Sequence, residues 1–142
     1  MTKQQWTKEQ QKEHRKLWIE ALRSGEYEQG YGVLRDINDN YCCLGVACEV
    51  AIKNGLNLVV DKVYVIDKIC YSYNGSYIIM TEDVMEYFGI RTNNGDYNWL
   101  NIQVSCGDYT ASNALSFDND CFGKTFNVIA DIIEKEPNGL CK

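Results

Sequence analysis

The sequence predicts an α+β fold in which helices pack on antiparallel β-hairpins within a single compact domain. Three observations carry this expectation. Apolar residues recur at helical spacing near both ends of the chain, in Leu17, Trp18, Ala21 and Leu22 and again in Phe126, Ile129, Ala130 and Ile133. Between them the period shifts toward two, and Asn74-Gly75 sits between β-rich flanks as a type I′ turn signal. A chain of 142 residues with one proline and no linker-like run suits one domain over 1–142. A domain of that size buries roughly two-thirds of its unfolded surface.

Taken in order, the first helix is expected over 4–23, polar at its start and amphipathic at its end, with Ser24-Gly25 as its stop. From Gln29 to Asp36 the alternation puts Gln29, Tyr31, Val33 and Arg35 on one strand face. Asn38-Asp39-Asn40 is a turn cluster, and Tyr41-Cys42 returns as the second strand of a hairpin. Cys43, Leu44, Val46, Ala47, Val50 and Ala51 are apolar nearly all round, which reads as a buried central helix ended by Asn54-Gly55.

LNLVVDKVYVID then suggests one or two strands, bent near Asp61-Lys62. KICYSY and SYIIM flank Asn74-Gly75 as a hairpin, with Ile69, Tyr71 and Tyr73 sharing a face. Thr81 is the N-cap of a short helix, with Glu82 and Asp83 in its first turn, Val84, Met85 and Phe88 on its apolar side and Gly89 at its end. Asn94-Gly95 is read as a further hairpin turn, with Tyr97 and Trp99 on one face. TASNALSFDNDCFGK is expected to be mostly irregular, and a last helix starts near Thr125 and stops at Pro137 and Gly139. This gives three or four helices and two or three hairpins.

The run ALRSGEYEQGYGVLRD followed by YCCLGVACEVA resembles a family of small bacteriophage and bacterial proteins. Its members carry a similar helix, an "RSG" stop, a "QG.G.L" strand and a "CCLG" block. FNVIADIIEKEPNGL is similar to that family's closing helix, whereas the middle, roughly 56–120, departs from its pattern. The resemblance implies a phage-type accessory protein, a counter-defence factor in the host cytoplasm, and it carries no catalytic residue across.

Composition narrows the function classes. A net charge of −6 and a pI near 4.7 argue against direct binding of a nucleic-acid backbone, which needs clustered Lys and Arg. The same acidity suits imitation of nucleic acid toward a basic partner, such as a host nuclease or another defence protein. Seven cysteines, an odd number, and no apolar leader segment favour free thiols in a reducing cytoplasm. No apolar run is long enough to span a membrane. Zinc would want CxxC-type pairs or histidines, but Cys42-Cys43 with Cys48 lacks that spacing and His14 is the only histidine, so no metal is expected. A cysteine-dependent hydrolase would need His14, expected to be an exposed helix residue, to reach a thiol. No phosphate loop, nucleophile elbow or HExxH is present. Binding without catalysis or cofactor is the reading these absences favour.

The candidate ligand residues are Arg23, Gln29, Tyr31, Arg35 and Tyr41. Two guanidinium groups suit phosphate charge, two tyrosine rings suit stacking, and an amide suits a base edge or ribose. Gly30 and Gly32 permit close backbone approach. The phage setting that the resemblance implies makes a small signalling nucleotide the expected ligand. Because the chain is acidic, its site must be a local cationic pocket, which a homo-oligomer could complete across a subunit interface. Asp36, Asp39 and Glu49 compete with any ligand for Arg35.

Overall fold

The computed structural model describes residues 5–104 and 107–142, those from 99 to 112 by backbone only. Twelve elements follow one another: α1 (Lys8–Arg23), β1 (Glu28–Gln29), β2 (Arg35–Asp36), β3 (Asn40–Tyr41), α2 (Cys43–Lys53), β4 (Val60–Val65), β5 (Lys68–Tyr73), α3 (Glu82–Phe88), β6 (Asp96–Val104), β7 (Gly107–Ala114), α4 (Leu115–Asp120) and α5 (Phe126–Lys135). The fold is α+β, with five helices among the described residues.

α1 begins at Lys8, with residues 5–7 outside the helix expected to include them, because Thr7 and Gln10 form a capping box. Thr7 Oγ1 accepts from the Gln10 N–H at 3.1 Å and Gln10 Oε1 accepts from the Thr7 N–H at 2.9 Å. Such a cap is worth about 1 kcal/mol and fixes the start of the helix. One face of α1 in turn closes the end of α3. Gln11 Nε2 donates to the Glu86 carbonyl at 2.7 Å, His14 Nδ1 lies 2.7 Å from that of Tyr87, and Arg15 Nη1 donates to that of Phe88 at 2.7 Å. Residues 11, 14 and 15 share a helical face, so one stripe meets the last three carbonyls of α3, of which that of Glu86 also accepts from the Gly89 N–H. His14 is therefore half-buried, stacked on Tyr87 with ring centroids 3.7 Å apart, and is not the exposed helix histidine expected.

α2 is the central helix the sequence predicts. Leu44, Val46, Ala47 and Ala51 are fully buried, and Trp18 of α1 donates from Nε1 to the Cys43 carbonyl at 3.0 Å. Gly45 is where another backbone comes closest, since a Cβ there would stand 1.8 Å from the Leu34 carbonyl oxygen.

The five-stranded sheet runs β1-β3-β2-β5-β4, antiparallel except for the β1–β3 pair. The expected continuous strand from Gln29 to Asp36 is instead two short pieces. Gly32 has φ of 83°, and the loop at 30–34 buries Val33 and Leu34 while exposing Tyr31. The turn after it is as expected, with Asp39 at positive φ and Arg35 facing Tyr41 across an antiparallel pair.

LNLVVDKVYVID supplies one strand, β4, whose partner is β5 across a tight turn at Ile66-Asp67. Asn74-Gly75 is a turn with both φ values positive, but its far side forms one bridge, Tyr73 to Ser76, and no strand. Leu34 N–H takes the Tyr77 carbonyl at 2.8 Å, which draws 76–80 away from β5. Thr81 precedes α3 as expected, but its hydroxyl makes no capping hydrogen bond. A second hairpin exists, β6 with β7, yet Asn94-Gly95 lies before β6 and not at its tip. The Trp99 side chain, expected to share a face with Tyr97, lies outside the described residues. The stretch expected to be irregular holds the end of β7 and all of α4. α5 starts after Thr125, whose Oγ1 accepts from the Val128 N–H, and buries Phe126, Ile129, Ala130 and Ile133 as predicted.

Candidate functional site

Register alone sets five side chains on one line across the sheet. Gln29 pairs with Tyr41, Tyr41 with Arg35, Arg35 with Tyr71, and Tyr71 with Lys62. Residues paired across strands share a face, so the line reads amide, ring, guanidinium, ring, ammonium. Its exposure rises from Tyr41, which is buried, through half-buried Arg35 and Tyr71 to exposed Lys62.

Arg35 is the centre of this line. Its guanidinium carbon lies 4.1 Å from the Tyr71 ring centroid and 5.6 Å from that of Tyr41. Nε and Nη2 hold Asp39 Oδ1 at 2.9 and 2.7 Å. Burial alone would lower the Arg35 pKa, but the Asp39 hydrogen bond and its surroundings carry it above its ordinary value. The group is a fixed cation with its guanidinium carbon over two aromatic rings. Tyr41 meets Tyr27 edge-on at 5.2 Å, and Tyr73 donates from its hydroxyl to Glu49 Oε2 at 2.7 Å. Burial first, then Glu49, pushes the phenols of Tyr73 and Tyr41 up, so both stay neutral at physiological pH. Two residues along β4 from Lys62, on the same face, Tyr64 is 78% exposed and Val60 is also open to solvent.

The opposite end of the line is closed. Gln29 Nε2 donates to Asn119 Oδ1 and to the Lys124 carbonyl, both at 2.9 Å. Asn119 is fully buried, and its Oδ1 also accepts from the Cys43 N–H at 3.2 Å, the first amide of α2. Its Nδ2 donates to the Gly30 carbonyl and to Asp120 Oδ1, both at 2.8 Å. Beside it, buried Asp118 accepts from the Tyr97 hydroxyl and pairs with Lys124 Nζ at 3.0 Å. Gln29 is thus a strut between sheet and α4. Asn119, Asp118 and Lys124 escaped sequence reasoning because they fall in the stretch read as irregular. The available signal was the polar triplet Asp118-Asn119-Asp120, separated by two residues from apolar Ala114-Leu115.

The five predicted residues therefore divide among three places, which corrects the expectation of one composite site. Gln29, Arg35 and Tyr41 share the line, but Gln29 and Tyr41 are committed within the fold. Arg23 belongs to the α1–α5 seam, where it pairs with Asp131 at 2.5 Å and Glu134 at 2.8 Å. Tyr31 stands 60% exposed on the loop after β1. The residues sequence reasoning left out are Tyr71 and Lys62, each on a strand whose pairing with β2 or β5 only the topology supplies.

The three thiols at the start of α2 and within it are buried. Burial pushes Cys42 up to about 12 and holds Cys43 and Cys48 well above the ordinary thiol value, so all three are protonated at neutral pH. Six described cysteines are free, and His14 is committed to the end of α3. Among the described residues no three His, Cys, Asp or Glu converge as metal ligands, and no helix is long and apolar enough to cross a membrane.

Residues 9–137 match the model of a family described as a domain of unknown function, DUF8296. The chain belongs to the DUF8296 family. The match runs from the first turn of α1 to just past α5, so the DUF8296 domain contains both the cross-sheet line and the α1–α5 seam. No curated protein and no solved structure matches the chain.

Proposed function

We propose that this DUF8296 protein binds a small ligand that is both planar and anionic, a signalling nucleotide in chemical class, and acts by holding it without transforming it. The observation that supports this is the line of Tyr71, Arg35 and Lys62, with the guanidinium at 4.1 Å from the Tyr71 ring. Arg35 and Lys62 offer two positive charges to a phosphate on one open face of an acidic chain. Tyr64 and Tyr71 offer rings to a base, and stacking on such a ring is worth about 1–3 kcal/mol. Asp39, which holds Arg35 in the free protein, is 59% exposed at its side chain, so a phosphate displaces it at little cost. Tyr41 and Gln29 set the depth of the face and are not themselves contacts. The resemblance to phage proteins adds the setting: sequestration of a host signal as counter-defence.

Thermal-shift measurements with cyclic dinucleotides, trinucleotides and ADP-ribose derivatives test the reading. At a hundredfold excess over Kd, a bound nucleotide stabilises the fold by about 2.7 kcal/mol. The expected outcome is a shift with one class that Arg35→Gln and Lys62→Ala each cut to about half or less. No shift with any nucleotide overturns the proposal, and product formation in the same samples overturns the non-catalytic part of it.

A further inference from the structure

A separate cavity of about 310 Å³ lies in the α1–α5 seam, lined by both charged walls and an apolar floor. Ile19 and Ile133 form the floor, 7% and 1% exposed. The α1 wall carries Lys12, Arg15, Lys16 and Arg23, whose spacings of three, four and seven from Lys12 or Lys16 keep them along one side of the helix. Much of that charge is already matched. Arg15 Nη2 holds Glu136 Oε1 at 2.9 Å, and Arg23 is gripped by Asp131 and Glu134. Glu20 adds a negative charge between Lys16 and Arg23.

The remaining pair differs. Lys12 makes no ion pair among the described residues, and Lys16 is held at 3.0 Å by Glu13 in a bridge whose two side chains are 57% and 68% exposed. An exposed bridge of this kind contributes about 0–1 kcal/mol and exchanges readily. The seam therefore offers two available ammonium groups beside a buried isoleucine floor, while its lining carboxylates Glu134 and Glu136 are taken up by Arg23 and Arg15. A volume near 310 Å³ lies at the small end of ligand sites.

We infer that the seam binds a free amphiphilic anion, a carboxylate or phosphate on a short hydrocarbon or aryl body. The head sits on Lys12 and Lys16 and the body on Ile19 and Ile133. The site is independent of the sheet face, since no residue of the Lys62–Tyr71–Arg35 line borders it.

Methyl NMR of the full chain, titrated separately with hexyl phosphate, inorganic phosphate and hexylammonium, tests this. Hexyl phosphate is expected to shift the Ile19 and Ile133 methyl signals saturably. Inorganic phosphate should bind at least tenfold more weakly, and hexylammonium should leave those signals in place. Lys12→Ala/Lys16→Ala should weaken hexyl phosphate at least tenfold at an unchanged melting temperature, whereas Arg35→Gln should bind it as the native chain does. Equal shifts with hexylammonium, shifts confined to other methyls, or no saturable shift would each overturn the inference, whatever the sheet face binds.

Discussion

At the β1–β3 edge of the sheet, Gln29, Asn119 and Asp118 leave the surface because other parts of the fold take up their polar atoms. Asn119 is the clearest instance: two donors reach its oxygen and its nitrogen reaches two acceptors, which uses all four positions its amide has. At the β4 edge of the same sheet, Lys62 and Tyr64 stand in solvent, and Ile66 at the turn is fully exposed with φ of 42°. The same residue classes serve opposite ends. Where polar groups are satisfied internally they specify how α2, α4 and the β1–β2 loop meet. Where they are not, they remain available to something outside the chain.

Substitutions at the closed end should therefore cost stability, and substitutions at the open end should cost binding. The largest effect is expected for Gly45→Ala. In an ordinary helix that change gains about 1 kcal/mol. Here the added Cβ would lie 1.8 Å from the Leu34 carbonyl oxygen, so α2 and the loop must separate. A loss above about 4 kcal/mol, or no folded protein, is expected in urea titration. A neutral result would show that the two backbones are not packed as described.

Asn119→Ala comes next. It strands the Cys43 N–H and the Gly30 carbonyl in a buried site, at about 1–3 kcal/mol for each group left unpaired. Chemical denaturation should show a fall of about 3 kcal/mol, and a loss below about 1 kcal/mol would break the contrast between the two ends.

Alkaline pH probes the core beneath the closed end. Cys42, Cys43 and Cys48 keep their protons in the native state above the ordinary thiol value of 9.0, where the unfolded chain releases them. The unfolded state then binds fewer protons, so stability is intact below pH 9 and falls as pH rises through 12, where Cys42 titrates. The slope is at most about 1.4 kcal/mol per pH unit for each thiol. Denaturation midpoints between pH 8 and pH 11 should decline, and less so in Cys48→Ala.

The smallest structural effect is expected at the open end. Lys62→Ala should change stability by less than about 0.5 kcal/mol, as surface substitutions do. It should nevertheless lower nucleotide affinity at least tenfold in calorimetry.

Legibility in the sequence follows the same division. Helices whose signals are local were readable: Gly55 and Gly89 ended α2 and α3, and Phe126, Ile129, Ala130 and Ile133 marked the buried face of α5. Asn74-Gly75 was readable as a turn but not as a hairpin, because Leu34, forty residues upstream in the chain, captures the Tyr77 carbonyl that the second strand needed. The β4–β5 turn was missed since Ile66-Asp67 carries none of the residues that favour positive φ at its first position. At the candidate site Arg35 and Tyr41 were legible from local alternation. Tyr71 and Lys62 were not, because their place beside Arg35 depends on β5 joining β2 rather than a neighbour in sequence.

The most direct test of the contrast measures affinity and melting temperature together on two variants. For whichever nucleotide shifts the native protein most, Lys62→Ala/Tyr71→Ala should lose at least a hundredfold in calorimetric affinity. Its melting temperature should stay within a few degrees of the native value. Gln29→Ala, which cuts the strut to Asn119 and Lys124, should lower the melting temperature and leave the affinity nearly unchanged. Undiminished binding in the double variant, or loss of binding in Gln29→Ala at full stability, would contradict the account.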